Sequence, residues 1–451
     1  MEQTTGDPVG QLRLPGLAEE KGSVFSDPAP APNKAAPVHR WVPWIAGFSS
    51  AFVREALHRH LQGPGTVLDP FAGVGTTMVE AALHGHGSIG FEINPYAALA
   101  CRAKAGLSDS LLPIMAEQIA RLRDFWAYAD SPEYVPSSMP PAGFKTRVPF
   151  YSDAVLGKVL AFHDFLETID NARVRDIFRL AFASTMVRYS NYSYEPSLGT
   201  RIAAGRKPID DFPVAQTILG KLQEMLDDTR WFTDRVGENQ PQIQVINDSF
   251  FEYEAYLTPG SVDLVLTSPP YLNNYHYNRN TRPQLYWLGY VHRPRDLKPL
   301  AESNFGKYWQ TVRDQGRIEL AFPLPGTDLE ERLEALRSTN QDRGVYGGHG
   351  WANYAASYFN DCLRFARGIK YALRSGGAAL VVIGNSILQG IPIPTDRYFA
   401  SIAETAGLDL IAIHLPRTAR VGNSIIQSDV RVAKPDRSQR LYEAVVELQK
   451  R

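Results

Sequence analysis

The feature of the sequence that most constrains its fold is a short apolar run followed directly by a glycine turn and a helical segment. The run TVLDPF spans residues 66–71, Gly73 and Gly75 come next, and the helix-like TTMVEAALHGH covers 76–86. A second apolar run, GSIGFEIN, occupies 87–94. Strand, turn, helix and strand in this order build a parallel sheet through right-handed crossovers. We therefore predict an α/β fold with a mostly parallel, doubly wound sheet.

Periodicity elsewhere predicts further strands and helices around this unit. Ser49 or Ser50 is placed to cap a helix, and Pro95 suits the first position of another. Five more apolar runs complete a predicted seven-stranded sheet: QIQVIND, VDLVLTSPPY, GGAALVVIGNS, LDLIAIHLPR and SIIQSDVRVAK. The chain accordingly divides into a flexible N-terminal arm (1–38), a first part of the sheet domain (39–107), a helical insertion (108–240), a second part of the sheet domain (241–271), a second insertion (272–350) and the C-terminal half of the sheet domain (351–451).

Charge and cysteine content exclude several classes of protein. The 47 basic residues nearly balance the 48 acidic ones, so a nucleic-acid surface would have to be a local patch. The two cysteines are far apart, which argues against a disulfide framework or a cysteine zinc site and favours a reducing cytoplasm. Without a secretory signal or an apolar run of about eighteen residues, we expect a cytoplasmic protein with no membrane contact. The histidines, including His84, His86 and His276, lack metal-ligand spacing, so no metal is expected.

The glycine turn has the features of a site for a ligand that contains a ribose but no pyrophosphate. Gly73 and Gly75 let the backbone approach a ligand, and the following helix offers unpaired N–H groups. Neither a Gly-Lys-Ser/Thr phosphate loop nor a Gly-x-Gly-x-x-Gly pattern is present. Glu92 ends the next strand, where nucleotide-binding α/β proteins place an acid that accepts from ribose hydroxyls. The alternative is a simple tight turn with a solvated acid.

A second motif, Thr267-Ser268-Pro269-Pro270-Tyr271, follows the apolar run VDLVL. The two prolines remove two backbone donors and fix a rigid turn whose main chain can only accept hydrogen bonds. Such a turn suits the amino edge of a base, and Tyr271 offers a flat surface on which a base can stack. The alternative is a loop-breaking turn with a surface tyrosine.

Together the two motifs resemble those of the amino-methyltransferases of DNA. That family has a cofactor motif Asp-Pro-Phe-x-Gly-x-Gly-Thr and a catalytic motif of Ser, Asp or Asn followed by Pro-Pro-Tyr, and the resemblance covers roughly 39–110 and 243–435. It implies a Rossmann-like methyltransferase fold with S-adenosyl-L-methionine as cofactor. It also implies that Phe71, Gly73 and Gly75 wrap the methionine end of the cofactor, that Phe48 completes that pocket, that Glu92 holds the ribose and that Asp248 recognises the adenine. The full set of implied cofactor residues is Phe48, Asp69, Pro70, Phe71, Ala72, Gly73, Gly75, Thr76, Thr77, Glu92, Asn94, Asp248 and Thr267; the implied catalytic residues are Ser268, Pro269, Pro270 and Tyr271.

Two stretches compete for the recognition of double-stranded DNA. Residues 186–208 and 271–295 both mix basic and aromatic side chains, which suits phosphate contacts and base stacking. The candidate DNA contacts are Arg188, Tyr192, Arg201, Arg206, Lys207, Arg279, Arg282 and Arg293. Alternatively the aromatic residues pack the insertions and the arginines form a solvated rim.

The chemistry implied is methyl transfer to the exocyclic amine of a flipped base, most simply N4 of cytosine. Carbon-5 methylation of cytosine needs a cysteine nucleophile, and neither Cys101 nor Cys362 follows a proline in a loop. Ser268 favours cytosine because Ser leads this motif in most cytosine enzymes of the family and Asp or Asn leads it in most adenine enzymes. Adenine N6, guanine N2 in transfer RNA, and a DNA-binding subunit with a vestigial cofactor site remain as alternatives. A cognate restriction endonuclease or other defence component is a further possible partner.

Overall fold

The computed structural model describes residues 25–44, 47–131, 133–194, 198–272, 277–419 and 441–451. Most of the predicted N-terminal arm (1–24), His276 and the predicted strand SIIQSDVRVAK (424–434) lie outside the described residues.

A seven-stranded sheet forms the centre of the protein, with the strand order β5-β2-β1-β6-β7-β11-β10. These strands are β1 (Thr66–Asp69), β2 (Gly87–Phe91), β5 (Ile243–Ile246), β6 (Val262–Thr267), β7 (Leu373–Gly384), β10 (Asp409–Ala419) and β11 (Leu441–Gln449). The strands from β5 to β7 pair in parallel, and β11 runs antiparallel to both β7 and β10. The prediction of a mostly parallel, Rossmann-like sheet is confirmed.

The sequence pattern missed the strand β11. Its centre is a short apolar run, Ala444–Val446, between Glu443 and Glu447, and such a run does not distinguish a strand from a buried helix. In the structure this run lies between β7 and β10, where it is buried. Pairing with strands on both sides therefore decides its conformation, which local sequence alone does not.

Helices cover both faces of the sheet, and their caps are those expected from the sequence. The helices next to the sheet are α1 (Ser50–His60), α2 (Thr76–Leu83), α3 (Pro95–Ala105), α13 (Gly348–Ala372) and α14 (Thr395–Thr405). The Ser49 hydroxyl caps α1 by accepting from the Phe52 N–H at 3.2 Å. Asn94 caps α3, and Pro95 occupies its first turn. None of the described helices is both long and apolar enough to cross a membrane.

Two stretches interrupt the sheet domain. Between β2 and β5 come α4 (Leu111–Ala129), α5 (Asp153–Leu166), α6 (Ala172–Thr185), α7 (Val214–Val236) and a hairpin of β3 (Tyr192–Tyr194) with β4 (Leu198–Thr200). Between β6 and β7 come α8 (Tyr277–Asn280), α9 (Arg282–Trp287), α10 (Leu297–Glu302), α11 (Trp309–Val312) and α12 (Leu329–Ser338). A short hairpin of β8 (Ser386–Leu388) and β9 (Ile391–Ile393) follows β7. Residues of 285–291 pack into the apolar core of α4 to α7, so the two stretches share one core.

The connections of the parallel strands reverse direction at the pair β1 and β6. From β1 the chain moves outward to β2 and β5, and it then returns to β6 on the other side of β1. In open α/β sheets a ligand binds in the crevice outside the carboxyl ends of the strands at such a point. The glycine turn after β1 and the Pro-Pro turn after β6 both lie there.

Candidate active site

A cavity of about 460 Å³ opens at the carboxyl ends of β1, β2, β6 and β7. It brings together most of the residues predicted for the cofactor and for catalysis. Its lining includes Phe48, Asp69, Pro70, Phe71, Ala72, Gly73, Thr76, Glu92, Asn94, Ser268, Pro269, Pro270 and Tyr271. Gly75, Thr77, Asp248 and Thr267 are predicted site residues that do not line it. The two sequence motifs, almost 200 positions apart, thus form walls of one cavity.

Asp69 joins the two motifs at the reversal of strand order. Its carboxylate accepts hydrogen bonds from the hydroxyls of Thr267 and Thr77, at 2.7 and 2.6 Å, and from the Phe71 N–H at 3.0 Å. Thr267 ends β6 and Thr77 lies in the first turn of α2, so one side chain ties three elements together. Burial raises the pKa of Asp69 to about 6, although these three hydrogen bonds oppose that shift. Thr77 and Thr267 therefore shape the cavity through Asp69 and not by lining it.

The glycine turn after β1 requires glycine at two positions for different reasons. Gly73 and Gly75 have φ values of +52° and +85°, which side-chain-bearing residues rarely adopt. A Cβ on Gly75 would lie 3.0 Å from the Cys101 sulfur, so this glycine lets the turn pack on α3. A Cβ on Gly73 would project toward Trp44, 3.3 Å from the indole nitrogen. Gly73 therefore keeps the turn open on the side that faces the cavity.

Glu92 braces the loops at the ends of β1 and β2. Its carboxylate accepts from the Gly73 N–H at 3.0 Å and from the Asn94 N–H at 2.7 Å. Burial is the largest cause of a pKa raised to about 7, and nearby Asp69 adds a smaller increase. Each carboxylate oxygen of Glu92 accepts one of these bonds and can accept a further hydrogen bond on the cavity side, which is what binding of ribose hydroxyls requires.

A buried amide donor faces the same region. Asn94 uses its Oδ1 to cap α3, so its Nδ2 is the donor that reaches Thr281 Oγ1 at 2.8 Å and Asn278 Oδ1 at 3.4 Å. This contact directs the other end of the Asn278 amide away from Asn94. Asn278 lines the cavity, is 8% exposed, and its Nδ2 has no partner among the described residues. A buried donor of this kind is costly unless a ligand accepts from it.

The Pro-Pro turn is held by side chains from two other elements. The Tyr358 hydroxyl of α13 donates to the Pro270 carbonyl at 3.1 Å. The Tyr271 hydroxyl donates to the carboxylate of Glu443, on β11, at 3.0 Å. The turn is therefore rigid before any ligand arrives, which suits a site that must hold an amine in one orientation.

Asp248 lies next to the cavity, and both of its carboxylate oxygens accept hydrogen bonds from the protein. One carboxylate oxygen accepts from the Ser249 N–H at 2.7 Å and the other accepts from the Tyr256 hydroxyl at 2.7 Å. The next three residues, Ser249, Phe250 and Phe251, line the cavity, whereas Asp248 does not. Recognition of the cofactor adenine by Asp248 remains a prediction.

The sequence analysis missed several lining residues. They include Trp44, Asn278, Ser303, Asn304, Phe305, Gly384, Asn385, Tyr442 and Glu443. A signal was available for Gly384 and Asn385 because they end the run GGAALVVIGNS, as Asp69 and Ser268 end theirs. Asn278 comes from α8, the others come from loops and from β11, and no local pattern marks them.

The two stretches proposed for DNA recognition lie against each other beside the cavity. The Tyr194 hydroxyl donates to the Asn280 carbonyl at 3.0 Å, and the Leu198 N–H donates to Asn280 Oδ1 at 3.3 Å. The β3-β4 hairpin thus docks on α8, the short helix that contains the cavity residue Asn278. The two stretches are parts of one surface.

The candidate DNA-contacting side chains on this surface differ in their exposure and in their contacts with the protein. Arg188, Arg206, Lys207, Arg279 and Arg293 are exposed. Two arginines pack against the protein: Arg201 donates to the Lys207 carbonyl at 2.9 Å, and Arg282 donates to the Lys145 carbonyl at 3.0 Å.

Tyr192 is buried. It stacks on Phe150, with ring centroids 5.4 Å apart, and its hydroxyl accepts from the Arg147 N–H at 3.1 Å. These contacts suit a packing role, and DNA contact by Tyr192 stays a prediction.

The fold and the site define a class of protein. The fold is that of Rossmann-like methyltransferases: a mostly parallel sheet with an antiparallel strand inserted next to its edge, a glycine turn after β1 and an acid after β2. A family profile described as DNA methylase matches residues 34–101. The matched residues include the glycine turn and Glu92, so this part of the chain is similar to DNA methylases.

Individual relatives extend this likeness over most of the chain. The type II methyltransferase M.BsoBI of Geobacillus stearothermophilus is 23% identical over 434 residues, which cover 87% of this chain and 82% of that protein. The type II methyltransferase M.AvaI of Nostoc sp. (strain PCC 7120) is 23% identical over 427 residues, which cover 87% and 83%.

Among solved structures, TrmN from Thermus thermophilus is 10% identical with a TM-score of 0.30, and the match covers 90% of this chain and 49% of the TrmN chain. The rRNA methyltransferase aviRa from Streptomyces viridochromogenes matches 93% of both chains at 11% identity and the same TM-score, 0.30. Scores this low support no inference about function.

Proposed function

We propose that the protein transfers a methyl group from S-adenosylmethionine to the exocyclic amine of a flipped base in double-stranded DNA, and that this base is cytosine, methylated at N4. One observation carries the proposal. The Asp69 carboxylate accepts a hydrogen bond from the Thr267 hydroxyl at 2.7 Å, so the glycine turn and the Pro-Pro turn face each other across one cavity. A donor and an acceptor of a methyl group bound to these two turns would meet at the reversal of strand order.

The cofactor end of the cavity fits S-adenosylmethionine by its own chemistry. Glu92 is a hydrogen-bond acceptor for ribose hydroxyls, Asn278 is a buried donor without a partner among the described residues, and Gly73 leaves open the space that a side chain would fill. Phe71 packs edge-on against Phe305, at 5.3 Å between centroids, and gives this end an apolar wall. The bound cofactor supplies an electrophilic methyl group on a sulfonium. We assign to this end Phe48, Asp69, Pro70, Phe71, Ala72, Gly73, Gly75, Thr76, Thr77, Glu92, Asn94 and Thr267, with Asp248 as the predicted partner of the adenine.

The acceptor end is built to hold an amine. The lone pair of an exocyclic amine is delocalised into its ring, so the amine is a weak nucleophile. The Ser268 hydroxyl and the Pro269 carbonyl would accept its two hydrogens and favour a tetrahedral nitrogen that points its lone pair at the methyl group. The Tyr271 ring would stack on the base, which adds roughly 1 to 3 kcal/mol. No covalent intermediate is required.

The target amine of duplex DNA lies inside the base stack, so the base must leave the helix to reach Ser268. The surface formed by the β3-β4 hairpin, the segment 201–208 that follows it and α8 supports a DNA contact beside the cavity, because it carries the exposed side chains of Arg206, Lys207 and Arg279. These cations would bind phosphates and position the duplex. We include Arg188, Tyr192, Arg201, Arg282 and Arg293 in the proposed DNA surface.

Cytosine N4 is proposed over adenine N6 because of Ser268. A serine hydroxyl can accept from N4 and donate to N3, which matches the edge of cytosine. Adenine presents the same pair at N6 and N1, so adenine N6 is the second candidate. The two type II methyltransferases among its relatives further suggest a restriction endonuclease with the same recognition sequence as a partner.

Sequencing of cellular DNA with detection of modified bases tests the proposal. The full chain is expressed in a bacterial strain that lacks amino-methylated DNA. The variant Ser268→Ala/Tyr271→Ala removes one predicted amine contact and the aromatic wall, and Glu404→Ala alters an exposed side chain of α14 as a matched control.

Wild-type protein and the control should modify one short recognition sequence, and the double variant should not. Unmodified DNA from cells that contain folded wild-type protein would refute the proposal, and methylated transfer RNA would favour the guanine N2 alternative.

A further inference from the structure

The orientation of the Tyr271 ring is fixed from two sides. Its hydroxyl donates to Glu443 Oε1 at 3.0 Å. Its ring lies against the backbone of Gly384, where an added Cβ would be 2.9 Å from both Cδ2 and Cε2 of the ring. Tyr271, Gly384 and Glu443 all line the cavity. The aromatic wall of the acceptor end is therefore held in place by groups outside its own turn.

Gly384 and Glu443 are partners in the sheet. They lie opposite each other in the antiparallel register of β7 and β11. The next pair is locked as well, because the Asn385 N–H donates to the Tyr442 carbonyl at 3.2 Å and the Tyr442 N–H donates to Asn385 Oδ1 at 2.7 Å. This side-chain bond extends the pairing beyond the end of β7. The support for the Tyr271 ring is thus part of the rigid sheet.

We propose that Glu443 is a positioning residue for base recognition, which acts by holding Tyr271 in the orientation that stacks on the flipped base. The inference rests on the proposed function. A tyrosine ring free to turn about its side-chain bonds would have to be ordered when the base binds, and that ordering costs affinity. A hydrogen bond from the phenol to a carboxylate is stronger than one between neutral groups, so it orders the ring beforehand. Gly384 makes the arrangement possible by leaving room for the ring.

A double-mutant cycle tests whether Glu443 acts through Tyr271. The variants are Glu443→Ala, Tyr271→Phe and the pair of changes together, with Glu443→Gln as the conservative variant and Glu404→Ala as the control. Steady-state methylation of duplex DNA gives kcat and KM for each variant, and calorimetry gives its affinity for S-adenosylmethionine. A variant counts only if its thermal unfolding matches that of the wild type within a few degrees.

Glu443→Ala and Tyr271→Phe should each lower kcat/KM for DNA by about tenfold, which is near the lower end of the effect of losing one charge-assisted hydrogen bond. The double variant should lose no more than either single variant, because both changes break the same bond. Glu443→Gln keeps an acceptor and should recover most of the activity. Cofactor affinity should stay at the wild-type level throughout.

A second variant tests the other side of the ring. Gly384→Ala should move the ring and lower kcat/KM for DNA at least as much as Glu443→Ala does, with cofactor affinity unchanged.

Three results would overturn the positioning role while wild-type methylation stands. These are wild-type kcat/KM in Glu443→Ala, additive losses in the double variant, or a loss of cofactor affinity equal to the loss of activity. A folded wild-type protein that methylates no DNA overturns the proposed function and this inference with it. The two failures are therefore distinguishable.

Discussion

The change Glu92→Ala separates a role in cofactor binding from a role in folding. The Glu92 carboxylate accepts two backbone hydrogen bonds, at 3.0 and 2.7 Å, and removing it leaves the N–H groups of Gly73 and Asn94 without that partner. Ionisation of Glu92 is also unfavourable in the folded protein, since burial raises its pKa to about 7. Near neutral pH the loss of these hydrogen bonds lowers the stability of Glu92→Ala, and the removal of a buried charge raises it. We therefore expect a small change in the free energy of unfolding.

The effect on the cofactor has no such compensation. A hydrogen bond to an ionised group contributes about 1.5 to 3 kcal/mol, and a ribose held by Glu92 would lose at least one such bond. That loss corresponds to a dissociation constant for S-adenosylmethionine raised about 10- to 150-fold. Weakening of the glycine turn, which Glu92 braces through the Gly73 N–H, would add to this loss.

Isothermal titration calorimetry at pH 8 measures the affinity, and urea unfolding of the cofactor-free protein measures the stability. Glu404→Ala, which alters an exposed glutamate of α14, serves as the control for both measurements. An affinity within threefold of the wild type would remove Glu92 from the cofactor site. A loss of affinity matched by a large loss of stability would make Glu92 a structural residue only.

Three further predictions concern the cavity, the packing of β2 and the proposed DNA surface. Folding raises the pKa of Glu92 from 4.5 to about 7, so the contribution of Glu92 to the stability of the cofactor-free protein is present below pH 4.5 and is lost as the pH rises through 7. The difference in free energy of unfolding between Glu92→Gln and the wild type, measured with urea, should therefore shift in favour of Glu92→Gln between pH 5 and pH 8. Gly90→Ala would place a Cβ 2.9 Å from two side chains that pack on β2, so thermal unfolding should show a loss of about 1 to 3 kcal/mol, and an unchanged midpoint would refute that packing. Lys207→Ala and Arg279→Ala should each reduce the slope of log affinity for DNA against log salt concentration by about 1, without changing cofactor affinity, and intact slopes would exclude these side chains from the interface.

Local sequence was sufficient wherever a strand end carried its own chemistry. The runs that end at Asp69, Glu92 and Ser268 have apolar strands before them and turn residues after them, so the motif and its place in a parallel sheet could be predicted together. The caps Ser49 and Asn94 follow the same logic, because a cap depends on residues two or three positions away.

Contacts between distant segments were not predictable in this way. Tyr271 and Glu443 bond across 172 positions, and β11 is a strand only because β7 and β10 pair with it. The buried donor of Asn278 depends on the orientation of Asn94, 184 positions away. The stacking of Tyr192 on Phe150 is a further contact between distant segments that local sequence does not indicate.

Methyl transfer to purified DNA in vitro tests the central claim most directly. The full chain is incubated with duplex DNA and S-adenosylmethionine that carries an isotopically labelled methyl group. The DNA is then digested to nucleosides, which are separated and identified by mass spectrometry. The account predicts label in N4-methylcytosine. Label in N6-methyladenine alone would overturn the choice of cytosine and leave the class of enzyme standing. Label in 5-methylcytosine would contradict the account, and so would unlabelled DNA after incubation with protein that binds the cofactor.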